Sequence, residues 1–152
     1  MPLPQVLVDT REPKWVDESL RALDLTVERV KLDTGDYLWV SRHGQPVIVE
    51  RKTVADLLSS ISGKQRNSKS RAHNQLNRLK EFPHAVLLVD GYPNVSPSGM
   101  ILRGRTETTW LHGGLDNWLL SVQSSGIKVA YAAPGQLAVR LKYLVGYYEK
   151  ER

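Results

Sequence analysis

The run His84-Ala85-Val86-Leu87-Leu88-Val89 is the strongest single constraint on how this chain can fold. Its apolar residues occupy consecutive positions, and successive side chains of a strand point to opposite faces, so both faces of this strand need cover. Such a strand belongs in the middle of a sheet, not at an edge. The segments around it supply the remaining layers. Gln5 to Asp9 is a short apolar run ending on a carboxylate and reads as a buried strand, and Thr26 to Leu32 alternates well enough for a second. Asp36 to Ser41 and Pro46 to Arg51 flank the turn-rich Arg42-His43-Gly44-Gln45, the pattern of a β-hairpin. Ile127 to Ala132 is a further strand.

Helices are predicted over Asp17–Leu23, with Asp17 as the cap, and from the capping Thr53 through Leu57, Leu58 and Ile61 to an end near Gly63. Others are predicted over Arg71–Glu81, Leu115–Val122 and Gln136–Lys150, the last preceded by Pro134-Gly135. Gly91 to Arg105, rich in Gly, Pro and Ser, predicts no regular element. Strands first, then helix and strand in alternation, make an α/β sandwich around a mixed sheet. The 152 residues give room for one domain with its own core, and no repeat or linker divides them.

Composition excludes several function classes. There is no cysteine, which removes disulfides, thiolate metal sites and cysteine nucleophiles together and suits an intracellular protein. No apolar run approaches the roughly 18 residues of a membrane span, and the first residues lack the pattern of a secretory signal. The net charge of +5 favours a polyanionic partner. Its distribution says more: no acid lies between Leu57 and Lys80, whereas Lys64, Arg66, Lys69, Arg71, Arg78 and Lys80 all do. Most charge runs are solvated helix faces, but such faces mix both signs, and this single-signed stretch is read as facing phosphates.

The chemistry centres on Gly35-Asp36 and Glu50-Arg51-Lys52. On one strand Glu50 and Lys52 share a face and Arg51 takes the other. With Asp36 and Glu50 on paired hairpin strands, two carboxylates can converge on one divalent cation. Hard oxygen ligands suit Mg²⁺ or Mn²⁺, and the His clusters that zinc would favour are missing. A lysine two residues beyond the second acid can activate water and offset phosphate charge. Taken alone, the string is equally what a turn acid followed by a polar strand end would look like. Asp9 shifts that balance, because it adds a third carboxylate at the end of an apolar strand, where α/β folds place their chemistry.

Gly35-Asp36, Glu50-Arg51-Lys52 and then Asp56 together resemble the signature of the XPF-type structure-specific endonucleases. Asp9-Thr10-Arg11-Glu12 is similar to that family's first motif, and Arg71, Gln75, Arg78 and Leu79 match its spacing in the following helix. The resemblance implies a restriction-endonuclease-like PD-(D/E)XK fold and Mg²⁺-dependent cutting of one strand in branched DNA. It implies Asp9, Asp36 and Glu50 as metal ligands, Lys52 as base or charge stabiliser, and Arg51 as a tie to the surrounding shell. Asp56 becomes a supporting partner for Arg51 or Arg11, although an acid in a first helical turn is also favoured by the helix dipole. Arg11, Arg71, Gln75 and Arg78, with Lys64, Arg66 and Lys69, are implied to face DNA, while Leu76 and Leu79 face the core. Family members often append helix-hairpin-helix modules, and none is visible here.

The last predicted helix carries two apolar stripes. Leu137, Leu141, Leu144 and Tyr148 make one; Val139, Tyr143 and Tyr147 make another, wider than one core contact needs. The second stripe predicts a homodimer through the C-terminal helices, as in XPF-type domains. Two other readings remain, a non-catalytic relative that only dimerises and binds DNA, and a Holliday-junction resolvase-like nuclease. Intact acids and lysine argue against the first, and the Glu-Arg-Lys-x-x-x-Asp string against the second. A nucleotide-binding enzyme is excluded, since Gly63-Lys64 lacks the rest of a phosphate-binding loop.

Overall fold

A computed structural model describes residues 2–61 and 71–150. Six strands form one mixed sheet in the order β2-β1-β3-β4-β5-β8. They are β1 (Val6–Asp9), β2 (Val27–Val30), β3 (Tyr37–Val40), β4 (Pro46–Thr53), β5 (His84–Asp90) and β8 (Lys128–Ala132). The apolar run around Leu87 does take an interior position, between β4 and β8 and parallel to both. The expected hairpin is β3 paired antiparallel to β4, and β1 lies antiparallel to β3 and parallel to β2.

Alternation along the strands sorts the core into two layers. Val47, Val49, Val86 and Leu88 face helices α1 (Trp15–Ala22) and α5 (Leu137–Glu149), whose Val16, Leu20, Leu141 and Leu144 close that side. Ile48, Leu87 and Val89 face α2 (Val54–Ile61), α3 (Arg71–Leu79) and α4 (His112–Ser124), through Leu57, Leu76, Leu79, Leu115 and Leu119. The expected helix spacing holds in α5. Leu137, Leu141, Leu144 and Tyr148 are buried, whereas Val139, Tyr143 and Tyr147 are exposed. Trp39 is core, and Trp110 and Trp118 pack on the second cluster. No helix among the described residues is long and apolar enough to cross a membrane.

Two expectations need correction. Asp17 does not cap the first helix, which starts earlier, at Trp15; it sits in the first turn, buried, with its carboxylate gripped by Arg29 at 2.7 and 2.9 Å. The stretch expected to be irregular contains β6 (Met100–Arg103), which turns at Gly104 into β7 (Thr106–Leu111) and makes a separate two-stranded sheet. That hairpin escaped the sequence because β6 is only four residues long and β7 is mostly solvent-facing and rich in threonine, so hydrophobicity leaves no periodic mark. The expected cap at Thr53 is present, its hydroxyl accepting the Asp56 N–H at 3.1 Å. The helix end near Gly63 and the polar stretch Lys64 to Ser70 lie outside the described residues.

Candidate active site

β1 and β4 run in the same sense and β3 against them, so the end of β1, the start of β3 and the end of β4 lie together at one edge of the sheet. Asp36 is locked there by its backbone: its N–H donates to Val49 O at 2.8 Å, and its carbonyl accepts the Asp9 N–H at 2.9 Å. Gly35 makes this approach possible. Its φ is +76°, and a Cβ there would come within 2.5 Å of the Ile48 side chain. The Gly-Asp pair is thus one device, a left-handed residue that lays the chain on Ile48 and delivers the next carboxylate beside Glu50.

Asp36 and Glu50 lie within hydrogen-bonding reach of each other. Burial, reinforced by Glu50 and Glu12, pushes the Asp36 carboxyl up to about 8, although the Arg51 N–H donates to it at 2.8 Å. Burial also raises Glu50. Two buried carboxyls this close share a proton when no cation intervenes. They open on a cavity of about 90 Å³ lined also by Arg11, Gln75, Arg78 and Leu79. The Gln75 Oε1 atom is buried and accepts no hydrogen bond, which leaves a hard oxygen beside the two carboxylates. These oxygen donors fit a hydrated hard divalent cation: two carboxyls and an amide oxygen without nitrogen or sulfur ligands, and space for an ion that keeps several waters.

Asp9 stands differently. Its carboxylate is fully buried and engaged by Arg11 and by the Leu32 N–H. Among the described residues, no three acidic or histidine side chains come close enough together to form a ready ion cage. The structure brings Asp36 and Glu50 together and leaves Asp9 paired to Arg11.

Lys52 is on the Glu50 face of β4, where its charge acts on the Glu50 carboxyl and its Nζ lies 3.5 Å from Ser60 Oγ. Arg51 points to the opposite face, as its position in the alternation requires. Its partners there are Glu12, in a bidentate pair at 2.7 and 3.1 Å, and Asp90 at 3.3 Å. That corrects the expectation for Asp56, which is exposed at the start of α2 while Arg51 pairs with Glu12 and Asp90 and Arg11 with Asp9. On α3, Gln75 and Arg78 face the cavity, and Leu76 and Leu79 are buried. Arg71 opens this helix, but its side chain, like Lys64, Arg66 and Lys69, lies outside the described residues. Trp15 is half exposed at the start of α1.

Sequence reasoning missed Glu12 as the main partner of Arg51, although it stands inside the first motif. It also missed Arg29 and Asp90, which carry no local signal because their partners are distant in the chain.

The family model of the ERCC4 domain matches residues 8–126. The crossover junction endonuclease MUS81 of Oryza sativa subsp. japonica is 34% identical over 115 residues, covering 70% of this chain and 16% of that protein. The chain therefore spans about a sixth of the length of that curated relative. In three dimensions it superposes on XPF from Aeropyrum pernix with a TM-score of 0.70 and 28% identity, over 95% of this chain and 64% of the other. The same protein in complex with DNA gives the same values. The mixed sheet between helical layers is thus the restriction-endonuclease-like fold of an XPF-type nuclease domain.

Proposed function

The chain belongs to the ERCC4 domain family, and from that footing we propose that it is a metal-dependent endonuclease that hydrolyses phosphodiester bonds in branched DNA. The observation that carries this reading is the buried Asp36–Glu50 pair with Lys52 on the same face, beside a cavity flanked by Arg11 and Arg78. Two buried carboxyls side by side, both raised above the ordinary carboxylate range by burial, fit a site that works with a cation.

Asp36 and Glu50 would hold Mg²⁺ or Mn²⁺, with Asp9 as a third ligand; such an ion polarises the phosphodiester and lowers the pKa of bound water. Lys52 holds a positive charge where negative charge builds on the phosphate, and its ammonium orients the attacking water. Arg11 and Arg78 pair with phosphates at the cavity mouth. Gln75 fixes a water through its free Oε1. Arg51, bound to Glu12 and Asp90, keeps the end of β4 in register with the first motif, and the basic stretch around Lys64, Arg66 and Lys69 extends the DNA contact. Branched substrates are favoured by the likeness to a crossover junction endonuclease. Action on branched DNA fits an intracellular enzyme.

We also assign a homodimer through α5. Val139, Tyr143 and Tyr147 remain exposed after the core is closed, along a groove of about 800 Å³ beside β8, and aromatic surface of this kind is favoured at interfaces.

The test is cleavage of labelled duplex, single strand, flap, fork and four-way junction with Mg²⁺ or EDTA. Cutting is expected on branched forms, and only with the metal. Asp36→Asn and Glu50→Gln should abolish it without loss of fold, and Lys52→Ala should slow it by about a hundredfold, the scale of one lost oxyanion donor. Full activity in EDTA or in Glu50→Gln would refute the assignment.

A further inference from the structure

Asp9 is asked to bind a cation, yet it already has one. Its Oδ1 accepts the Leu32 N–H at 2.9 Å, and its Oδ2 accepts both the Arg11 N–H at 3.1 Å and the Arg11 Nε–H at 2.6 Å. Burial raises this carboxyl, but the Arg11 side-chain bond, the two backbone donors and the Arg11 charge together leave it below its ordinary value. Arg11 and Asp9 thus form an ion pair at 2.6 Å.

Arg11 faces solvent, with 71% of its side chain exposed. It lines the same cavity as Asp36 and Glu50 while its guanidinium is held by Asp9.

The turn beneath it is pinned. Arg29 Nη1 donates to the carbonyls of Asp9, Thr10 and Glu12 at 3.3, 3.2 and 2.7 Å, and Nη2 donates to Pro13 O at 2.9 Å. The same guanidinium grips Asp17, so the backbone from Asp9 to Pro13 is stapled to the end of β2. Rotation of the Arg11 side chain therefore removes the Nε–H bond from Asp9 Oδ2 and leaves the two backbone donors in place.

We propose that Arg11 is a latch coupling metal binding to DNA binding. Without substrate it pairs with Asp9 and occupies Oδ2. When a DNA phosphate arrives at the cavity mouth, the guanidinium transfers to it, because the same fork pairs with phosphate as with carboxylate. Asp9 Oδ2, released from the Nε–H bond, is then open to the cation. By linkage, DNA tightens the metal and the metal tightens DNA by the same factor. This rests on the nuclease reading of the site.

The experiment follows free Mn²⁺ by electron paramagnetic resonance, in a Lys52→Ala background whose cleavage is slowed about a hundredfold, each point being read before the DNA is cut. Titrations are made with and without forked duplex, subtracting Mn²⁺ bound by DNA alone. With Arg11 in place, DNA is expected to tighten Mn²⁺ by about tenfold, within the range of linked sites. In Arg11→Ala, Mn²⁺ should bind about tenfold tighter without DNA, and DNA should add less than about twofold. Arg11→Gln keeps a donor for Asp9 without the charge and should behave the same way; circular dichroism checks the fold of each, and Arg11→Gln carries the test if the alanine form does not fold. Unchanged Mn²⁺ affinity and coupling in the folded variants would overturn the latch alone. Absence of Mn²⁺ binding in every form, with Asp36→Asn no different, would overturn the metal site and the proposed function with it.

Discussion

Asp36 burdens the fold, and removing its charge should stabilise the protein while destroying its activity. Burial, Glu50 and Glu12 raise its carboxyl from 3.8 to about 8. A carboxyl whose folded value exceeds its unfolded one holds its proton more tightly in the fold. Its stabilising share is therefore full below the unfolded value and is lost as pH rises through the interval to about 8. At about 1.36 kcal/mol per pH unit, the interval from 3.8 to about 8 caps that loss at roughly 6 kcal/mol. In Asp36→Asn the amide oxygen can keep the 2.8 Å bond from the Arg51 N–H, and the amide nitrogen can donate to Glu50 in place of the shared proton. Glu50 keeps its own burial penalty, so the net gain above pH 8 is smaller, about 2 kcal/mol, the scale of one charge-assisted hydrogen bond. Urea unfolding in EDTA at pH 5, 6.5 and 8.5 measures it. The gap in favour of Asp36→Asn is expected to widen with pH and to level off above about 8. Added Mn²⁺ should reverse the ranking at pH 8.5, since it stabilises only the form that binds it. Parallel pH–stability curves, or a variant less stable than wild type at pH 8.5 in EDTA, would refute the reasoning.

Three further outcomes are expected. Gly35→Ala should lose about 3 kcal/mol in the same unfolding assay, since the left-handed backbone costs alanine about 1–2 kcal/mol and the forced contact with Ile48 about 1–3 more; a loss under about 1 kcal/mol would show that the Gly-Asp device is dispensable. Sedimentation equilibrium at micromolar protein should give twice the 17.2 kDa chain mass; Tyr147→Asp or Val139→Asp should yield folded monomers, Leu141→Asp should unfold the domain, and a wild-type monomer across the range would end the dimer. DNA affinity should fall steeply with salt, each of Lys64, Arg66 and Lys69 changed to Ala flattening the log–log slope by roughly one unit on duplex; an unchanged slope would return that stretch to a solvated face.

The site was legible where its parts are local. Strand alternation alone sends Glu50 and Lys52 to one face and Arg51 to the other; helical spacing puts Gln75 and Arg78 on one face, and only the family resemblance assigned that face to the site, where both line the cavity. Partners were illegible where they come from across the fold. Asp56 was expected to meet Arg51 or Arg11, but an acid beginning α2 stands out in solvent, whereas Glu12 in the turn after β1 and Asp90 at the end of β5 reach Arg51.

The sequence by itself determined the layers. Both-faced burial around Leu87, the Asp36-to-Arg51 hairpin and the two stripes of the last helix follow from side-chain period, which needs no knowledge of neighbours. Only the tertiary structure decided how charge is distributed over the acids. It paired Asp36 with Glu50, gave Asp9 to Arg11, and set Arg29 under the first motif to hold its carbonyls. These outcomes depend on register between strands distant in the chain and on which carboxylate loses most water. Burial and separation are properties of the assembled fold, and a charge in sequence carries neither.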